Sequence, residues 1–242
     1  SSGIEYKLSI PVNQPVEFPK KDTLIDPYTI GVLLGDGCFR HLNIVNRVIF
    51  TCSMSDIDCY KENIPYMINK VTKDEYSYSV NIPNIGNILS QYGLNHVKSE
   101  DKFIPDEYKF NSKEVRLAIL QGLMDTDGTS GVGRSPEFSS SSKRLAEDVM
   151  FICRSLGINC KIYNKKAGYK KDGIYKACLP SYTVRMYSDF PIFKLQRKLD
   201  KLHKKNTPYT RSKMTSSRIV DIKYSYRERA KCVTVDNASS CY

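Results

Sequence analysis

Apolar positions at helical spacing mark two stretches of this chain that begin and end alike. From Asp26-Pro27 the chain runs apolar through Leu34 to Gly35-Asp36-Gly37, an N-cap acid and a proline suited to the first turn leading into a helix that glycine closes. The second stretch opens at Asn111-Ser112, with Glu114 three places after Asn111 in a capping-box arrangement. It continues through Val115, Leu117, Ala118, Ile119 and Leu120 to Asp127-Gly128.

The order of elements after each stretch also repeats. After Gly37 the pattern predicts strands over Cys38 to Ile44 and Arg47 to Ser53, a helix from Ser55 to Asn69, a strand from Tyr76 to Ile82 and a helix from Ile85 to Tyr92. After Gly128 it predicts a Gly/Ser turn and a strand at Glu137 to Ser140. A helix from Ser142 to Leu156 follows, with Leu145, Ala146, Val149, Ile152, Cys153 and Leu156 on one face, then strands at Cys160 to Asn164 and Tyr182 to Tyr187 and a helix from Phe190 to His203. The expected architecture is α+β, two αββαββα halves related by a pseudo-two-fold. They would occupy residues 26–110 and 111–206, flanked by an N-terminal extension (1–25) and a linker with a β-rich tail (207–242). The basic, glycine-punctuated run Lys165 to Gly173 reads as a hairpin tip present only in the second half.

Aligned by position, Thr29-Ile30-Gly31-Val32-Leu33-Leu34-Gly35-Asp36-Gly37 and Leu120-Gln121-Gly122-Leu123-Met124-Asp125-Thr126-Asp127-Gly128 share a glycine at the third place and a closing Asp-Gly. The two acids lie 127 − 36 = 91 residues apart, room for one α/β unit after each motif. Small residues four apart, Gly31/Gly35 and Gly122/Thr126, let two helix backbones approach closely. If the helices lie parallel, Asp36 and Asp127 meet at the negative ends of two helix dipoles. Two carboxylates so placed repel unless a cation joins them. A hard divalent ion such as Mg²⁺ resolves the conflict and leaves coordination positions for water and phosphate, an arrangement suited to phosphodiester hydrolysis.

Composition agrees with a polyanionic partner. There are 37 Lys+Arg against 26 Asp+Glu in 242 residues, a formal charge of +11, which favours nucleic acid through counterion release. No run approaches the ~20 apolar residues of a membrane span, and the first residues lack a signal-peptide pattern, so a soluble, cytoplasmic protein is expected. The 8 cysteines form no C-x-x-C pair and read as reduced, part-buried thiols. Cys38 and His41 are the sole close Cys/His pair, so no zinc site is expected.

These residues carry a resemblance. The second motif closely resembles the nine-residue signature of the LAGLIDADG homing endonucleases, and the first keeps its glycines and closing acid. The chain is most similar to the single-chain, two-motif kind inserted in inteins. Asp26-Pro27-Tyr28 and Lys102-Phe103-Ile104-Pro105 are also typical of that kind, and the likeness spans Asp26 to Lys205. It implies a site-specific, double-strand DNA endonuclease acting as a monomer, with strands saddling the major groove and metal ions at the closing acids. Mg²⁺ or Mn²⁺ would support cutting, and Ca²⁺ would bind without supporting it. Asp36 and Asp127, with backbone near Gly35 and Thr126, would hold the metal. The family's basic group falls on Lys102 and, in the second half, on Lys198 with Lys194 as competitor. Alignment of Phe50-Thr51 with Phe138-Ser139 makes Cys52 and Ser140 candidates for contact with metal-bound water. The sixth motif place is acidic only in the second copy, Asp125 against Leu34, and is expected to cap or pack locally.

DNA-reading side chains are expected on the strands: Arg40, Asn43, Asn46 and Arg47 in the first half, and Arg134, Glu137, Lys161, Tyr163, Lys165, Lys166, Lys170, Lys171 and Arg185 in the second. The alternative is a LAGLIDADG-fold DNA-binding regulator or RNA maturase without nuclease activity; both closing acids are present, which favours the nuclease. Arg218 to Asn237 looks like the strand block before an intein's C-terminal junction. A terminal His-Asn and an N-terminal splicing block are missing, so splicing is not expected.

Overall fold

The structure, a computed structural model, describes residues 8–39, 47–71, 76–131, 134–165, 168–171, 174–177, 179–188, 190–203, 214–219 and 221–229. After a short strand β1 (Ser9–Pro11) comes helix α1 (Pro27–Asp36), whose N-cap Asp26 accepts from Thr29 N at 2.8 Å. There follow β2 (Gly37–Cys38), β3 (Arg47–Thr51), α2 (Ile57–Asn63), β4 (Met67–Lys70), β5 (Ser77–Asn81), α3 (Ile85–Tyr92) and a short α4 (Asp106–Lys109). The second motif closes α5 (Lys113–Thr126). After it come β6 (Gly128–Gly131), β7 (Arg134–Ser140), α6 (Lys143–Ser155), β8 (Asn159–Lys165), β9 (Gly168–Lys171), β10 (Ile174–Ala177), β11 (Ser181–Tyr187), α7 (Gln196–His203) and β12 (Ser216–Arg218).

Two four-stranded antiparallel sheets result, ordered β2-β3-β5-β4 and β6-β7-β11-β8, so corresponding strands take corresponding places. Each half therefore runs α-β-β-α-β-β-α, and the second adds the antiparallel pair β9–β10 as an inserted hairpin. Along β3, Val48 and Phe50 are buried while Arg47, Ile49 and Thr51 are exposed, the alternation of a sheet wet on one side. Both inner faces and both motif helices share one continuous core, from Ile30, Phe50 and Val80 to Leu120, Phe138 and Val184.

Several boundaries differ from the expected ones. The helix after β3 ends at Asn63 rather than Asn69, because Pro65 forces Ile64 into an extended conformation (φ −100°, ψ 116°), and the following residues become β4. Likewise α7 starts at Gln196, not Phe190, after Pro191. The expected capping box is not formed: Ser112 is the N-cap, without a side-chain cap bond. Asn111 Oδ1 accepts instead from Lys21 N (3.0 Å) and Ser112 N (2.8 Å). In the tail, β12 pairs with β1, and residues 221–229 form no strand, leaving Ile222, Tyr224 and Tyr226 exposed. Among the described residues no helix is long and apolar enough to cross a membrane.

Candidate active site

The two motif helices lie side by side and parallel, Gly31 against Ile119 and Gly122, and Gly35 against Thr126. The Gly122 Cα is 3.1 Å from where a Gly31 Cβ would sit, and a Cβ on Gly122 would collide with the Tyr28 carbonyl oxygen. Only glycine allows main chains this close. The approach brings Asp36 and Asp127 to one end of the pair, with an Asp127 carboxylate oxygen 3.5 Å from the place of a Gly35 Cβ. Both acids are half-buried. Burial, together with the Asp36 charge, lifts the Asp127 carboxyl to about 6 against the pull of Lys102 and Lys198. Asp36 is raised as well, chiefly by burial.

Each helix end carries a buried lysine. Lys102 Nζ donates to the carbonyls of Leu33 (3.3 Å), Gly35 (2.9 Å) and Gly37 (2.8 Å). Lys198 Nζ donates to the aligned carbonyls of Met124 (2.9 Å), Thr126 (3.4 Å) and Gly128 (2.7 Å), and to Asp125 O (2.7 Å). The ammonium groups take up carbonyls at the helix ends, Leu33 O also accepting from Gly37 N, and oppose the negative dipole there. Burial pulls both lysines down to about 8, with Asp127 and Asp36 resisting at Lys102 and Asp125 first at Lys198. Of the two expected second-half lysines, Lys198 is thus the structural counterpart of Lys102. Lys194 points elsewhere, its Nζ on Asn63 Oδ1 (2.9 Å) and over the Tyr28 ring.

Asp125 faces inward. Its carboxylate accepts from Tyr28 Oη (2.8 Å), Lys194 N and Leu195 N, so it fastens the segment entering α7, and Tyr60 Oη donates to its main-chain oxygen. Cys52 lies within the field of Asp36 and Asp56, its thiol pushed up to about 12 by burial, and Ser140 Oγ accepts from Ser142 N. Sequence reasoning missed Asp56 and Arg197. Arg197 Nε donates to Asp56 Oδ1 at 2.8 Å, and the guanidinium holds the Asp56 carboxyl below the usual range. The signal available was slight: an acid beside a helix start, and an arginine adjoining Lys198.

On the second sheet, Glu137, Arg185 and Lys161 stand abreast, as do Ser139, Thr183 and Tyr163, with Lys165 opposite Ser181. The expected Glu137, Lys161, Tyr163, Lys165 and Arg185 therefore share one face. Arg185 is bonded to Glu137 (2.6 Å) and lies over the Tyr163 ring. On the first sheet Arg47 shares the outer face with Asn81 and Met67, and Asn69 with Ile49, positions that the alternation of a recognised β4 would have supplied. Arg134 sits opposite Gly131, and Lys170 and Lys171 opposite Tyr175 and Ile174 in the hairpin. Arg40, Asn43, Asn46 and Lys166 lie outside the described residues.

Residues 114–190 match the family profile of the LAGLIDADG-like domain. Among relatives, the chain is 29% identical over 228 residues to the replicative DNA helicase DnaB of Mycobacterium intracellulare, covering 94% of this chain and 34% of that protein. It is 24% identical over 181 residues to the replicative DNA helicase DnaB of Nostoc sp., covering 66% of this chain and 20% of that one. The chain thus spans 34% and 20% of these relatives' length. Among solved structures it resembles mesophilic variants of the homing endonuclease I-DmoI, with a TM-score of 0.45 and 16% identity over 76% of this chain and 97% of that one. It also resembles an I-DmoI variant in complex with its target DNA in the presence of 2 mM Mn, with a TM-score of 0.42 and 16% identity over 75% and 98%.

Proposed function

We propose that this chain is a site-specific DNA endonuclease of the LAGLIDADG homing type, hydrolysing both strands of a long asymmetric duplex site as a monomer. The observation that carries the reading is the meeting of Asp36 and Asp127 at one end of two close-packed parallel helices, with a buried lysine on each side. The donor set suits a hard divalent ion: two carboxylates that destabilise one another, beside the carbonyls of Gly35 and Thr126, each with a second lone pair beyond the one its lysine engages. Such an ion supplies Lewis acidity toward a phosphate oxygen and the attacking water. Asp36 and Asp127 would hold it. Lys102 and Lys198, already fixed by three or more carbonyls each, would offset charge gathering on the scissile phosphates.

The aligned polar faces of the two sheets would read the major groove. Because Glu137 already holds Arg185, that arginine would reach a base edge from a fixed position rather than a searching one. We also read the chain as an insert of intein type in a DnaB-like host. The helicase relatives are much longer than the matched region, and β1 pairs with β12, bringing the two flanks of the nuclease halves together as an insert's flanks must be. Such a protein acts on DNA inside the cell.

The test is to incubate the chain with a plasmid library carrying randomised inserts and to sequence the linearised molecules. Mg²⁺ or Mn²⁺ should yield one long, non-palindromic site and Ca²⁺ none. Absence of linear product in every ion would count against a nuclease and favour the regulator or maturase alternative.

A further inference from the structure

The two buried lysines are held by different means, and the difference crosses between halves. On one side, helix α6 of the second half grips the main chain around Lys102. Ser142 Oγ, while capping α6 by accepting from Leu145 N, donates to Lys102 O at 2.6 Å, and Asp148 Oδ2 accepts from Ile104 N at 2.9 Å. On the other side, helix α2 of the first half grips the segment around Lys198 by side chains alone. Asp56, at the N-cap position of α2, makes no cap bond. Its backbone is helical (φ −103°, ψ −15°) and its buried carboxylate turns to Arg197, next to Lys198. At the far end of α2, Asn63 Oδ1 accepts from Lys194 Nζ.

An N-cap acid ordinarily satisfies its own helix's free N–H groups and so stabilises the helix. Asp56 forgoes this to hold a residue 141 positions away in the other half. We infer that Asp56 and Arg197 are a positioning pair for Lys198, so that α2 of the first half sets the geometry of the second-half lysine while Lys102 is set through its own main chain. The inference rests on the nuclease reading above. Its consequence is that the two strand cuts respond separately to changes on α2. Both segments are held by main-chain hydrogen bonds, that of Lys198 through Asp125 on α5, but what α2 adds at Lys198 is a half-exposed ionic contact, whereas what α6 adds at Lys102 is buried main-chain hydrogen bonds.

The experiment follows each strand separately, with end-labelled duplex carrying the recovered site, saturating enzyme and Mg²⁺. The chain itself is compared with Asp56→Asn, Arg197→Met and Arg197→Lys. Asp56→Asn and Arg197→Met should each slow one strand's cut by roughly tenfold or more, since displacing a catalytic group by an ångström costs on that order. The other strand's rate and the affinity should stay within about twofold, so nicked duplex accumulates. Arg197→Lys should recover part of the lost rate, because a lysine still reaches the carboxylate. The double variant should be no slower than the worse single one, as expected of two residues acting through one contact. Equal slowing of both strands would mean the pair only supports the fold and would overturn the inference, as would unchanged rates on both. If the unaltered chain cuts neither strand, the nuclease reading itself falls. If it cuts both and the variants behave like it, only the positioning role falls.

Discussion

At the scale of single residues, the site is a small set of opposed charges, two half-buried acids between two buried lysines. Asp36 and Asp127 face Lys102 and Lys198, yet Asp127 is still raised to about 6 from an ordinary 3.8, so burial and the neighbouring acid outweigh the lysines. A carboxyl whose folded value is raised binds more protons folded than unfolded between those two values. Stability of the metal-free protein should therefore fall as pH rises from about 4 to 6, and the loss persists at neutral pH. Asp127→Asn removes that cost and should stabilise the metal-free protein at pH 7 by about 1–3 kcal/mol, flattening its melting temperature between pH 4 and 6. A lower melting temperature for the variant at pH 7 would show that the acid is favourably paired. Lys102 is a harder case because it also completes α1: Lys102→Met takes a donor from the carbonyls of Leu33, Gly35 and Gly37, of which Leu33 O keeps the Gly37 N–H, at a cost of about 1–3 kcal/mol. On folded protein at saturation, Lys102→Met should lower single-turnover cutting far more than binding. Lys161→Met, on the exposed sheet face, should weaken binding and reduce its salt slope by about one phosphate contact. Parental cutting by Lys102→Met once fully bound would remove the lysine from the chemistry.

At the scale of elements, the pair α1–α5 determines where the acids fall. Gly122→Ala sets a methyl against the Tyr28 carbonyl and Val32 N of the facing helix, so the helices must separate. A loss of about 2–4 kcal/mol is expected, with cutting reduced in the molecules that still fold. A variant with unchanged stability on denaturant unfolding would contradict the close approach. This element was readable in the sequence because small residues at a four-residue spacing and a repeated closing acid have few other uses. Strand β4 was not, because the helical pattern of Ser55 to Asn63 continues past Pro65 in hydrophobicity alone, and only the proline's constraint on Ile64 marks the break. The choice between Lys194 and Lys198 was equally closed to the sequence, since both lie in one basic run. It depends on where Asp125 fastens the start of α7, a contact between residues about 70 positions apart. Asn111 shows the limit of local signals, its side chain being claimed by Lys21, 90 residues away, rather than by the helix it precedes.

At the scale of the whole molecule, two sheets of matching strand order present unequal faces, the second carrying Lys161, Lys165 and Arg185 beside Glu137, in a chain of formal charge +11. One copy should occupy one asymmetric site, with affinity falling steeply as salt rises; sedimentation of an obligate dimer on a palindrome would contradict this. If the two closing acids together make the cutting centre while the sheets make the binding surface, loss of either acid must separate cutting from binding. The deciding measurement is single-turnover cutting of the recovered site in Mg²⁺ by Asp36→Asn and by Asp127→Asn, with affinity measured alongside. Each variant should lose double-strand cutting and keep its affinity within a few-fold. Double-strand cutting by either at the parental rate would contradict the account.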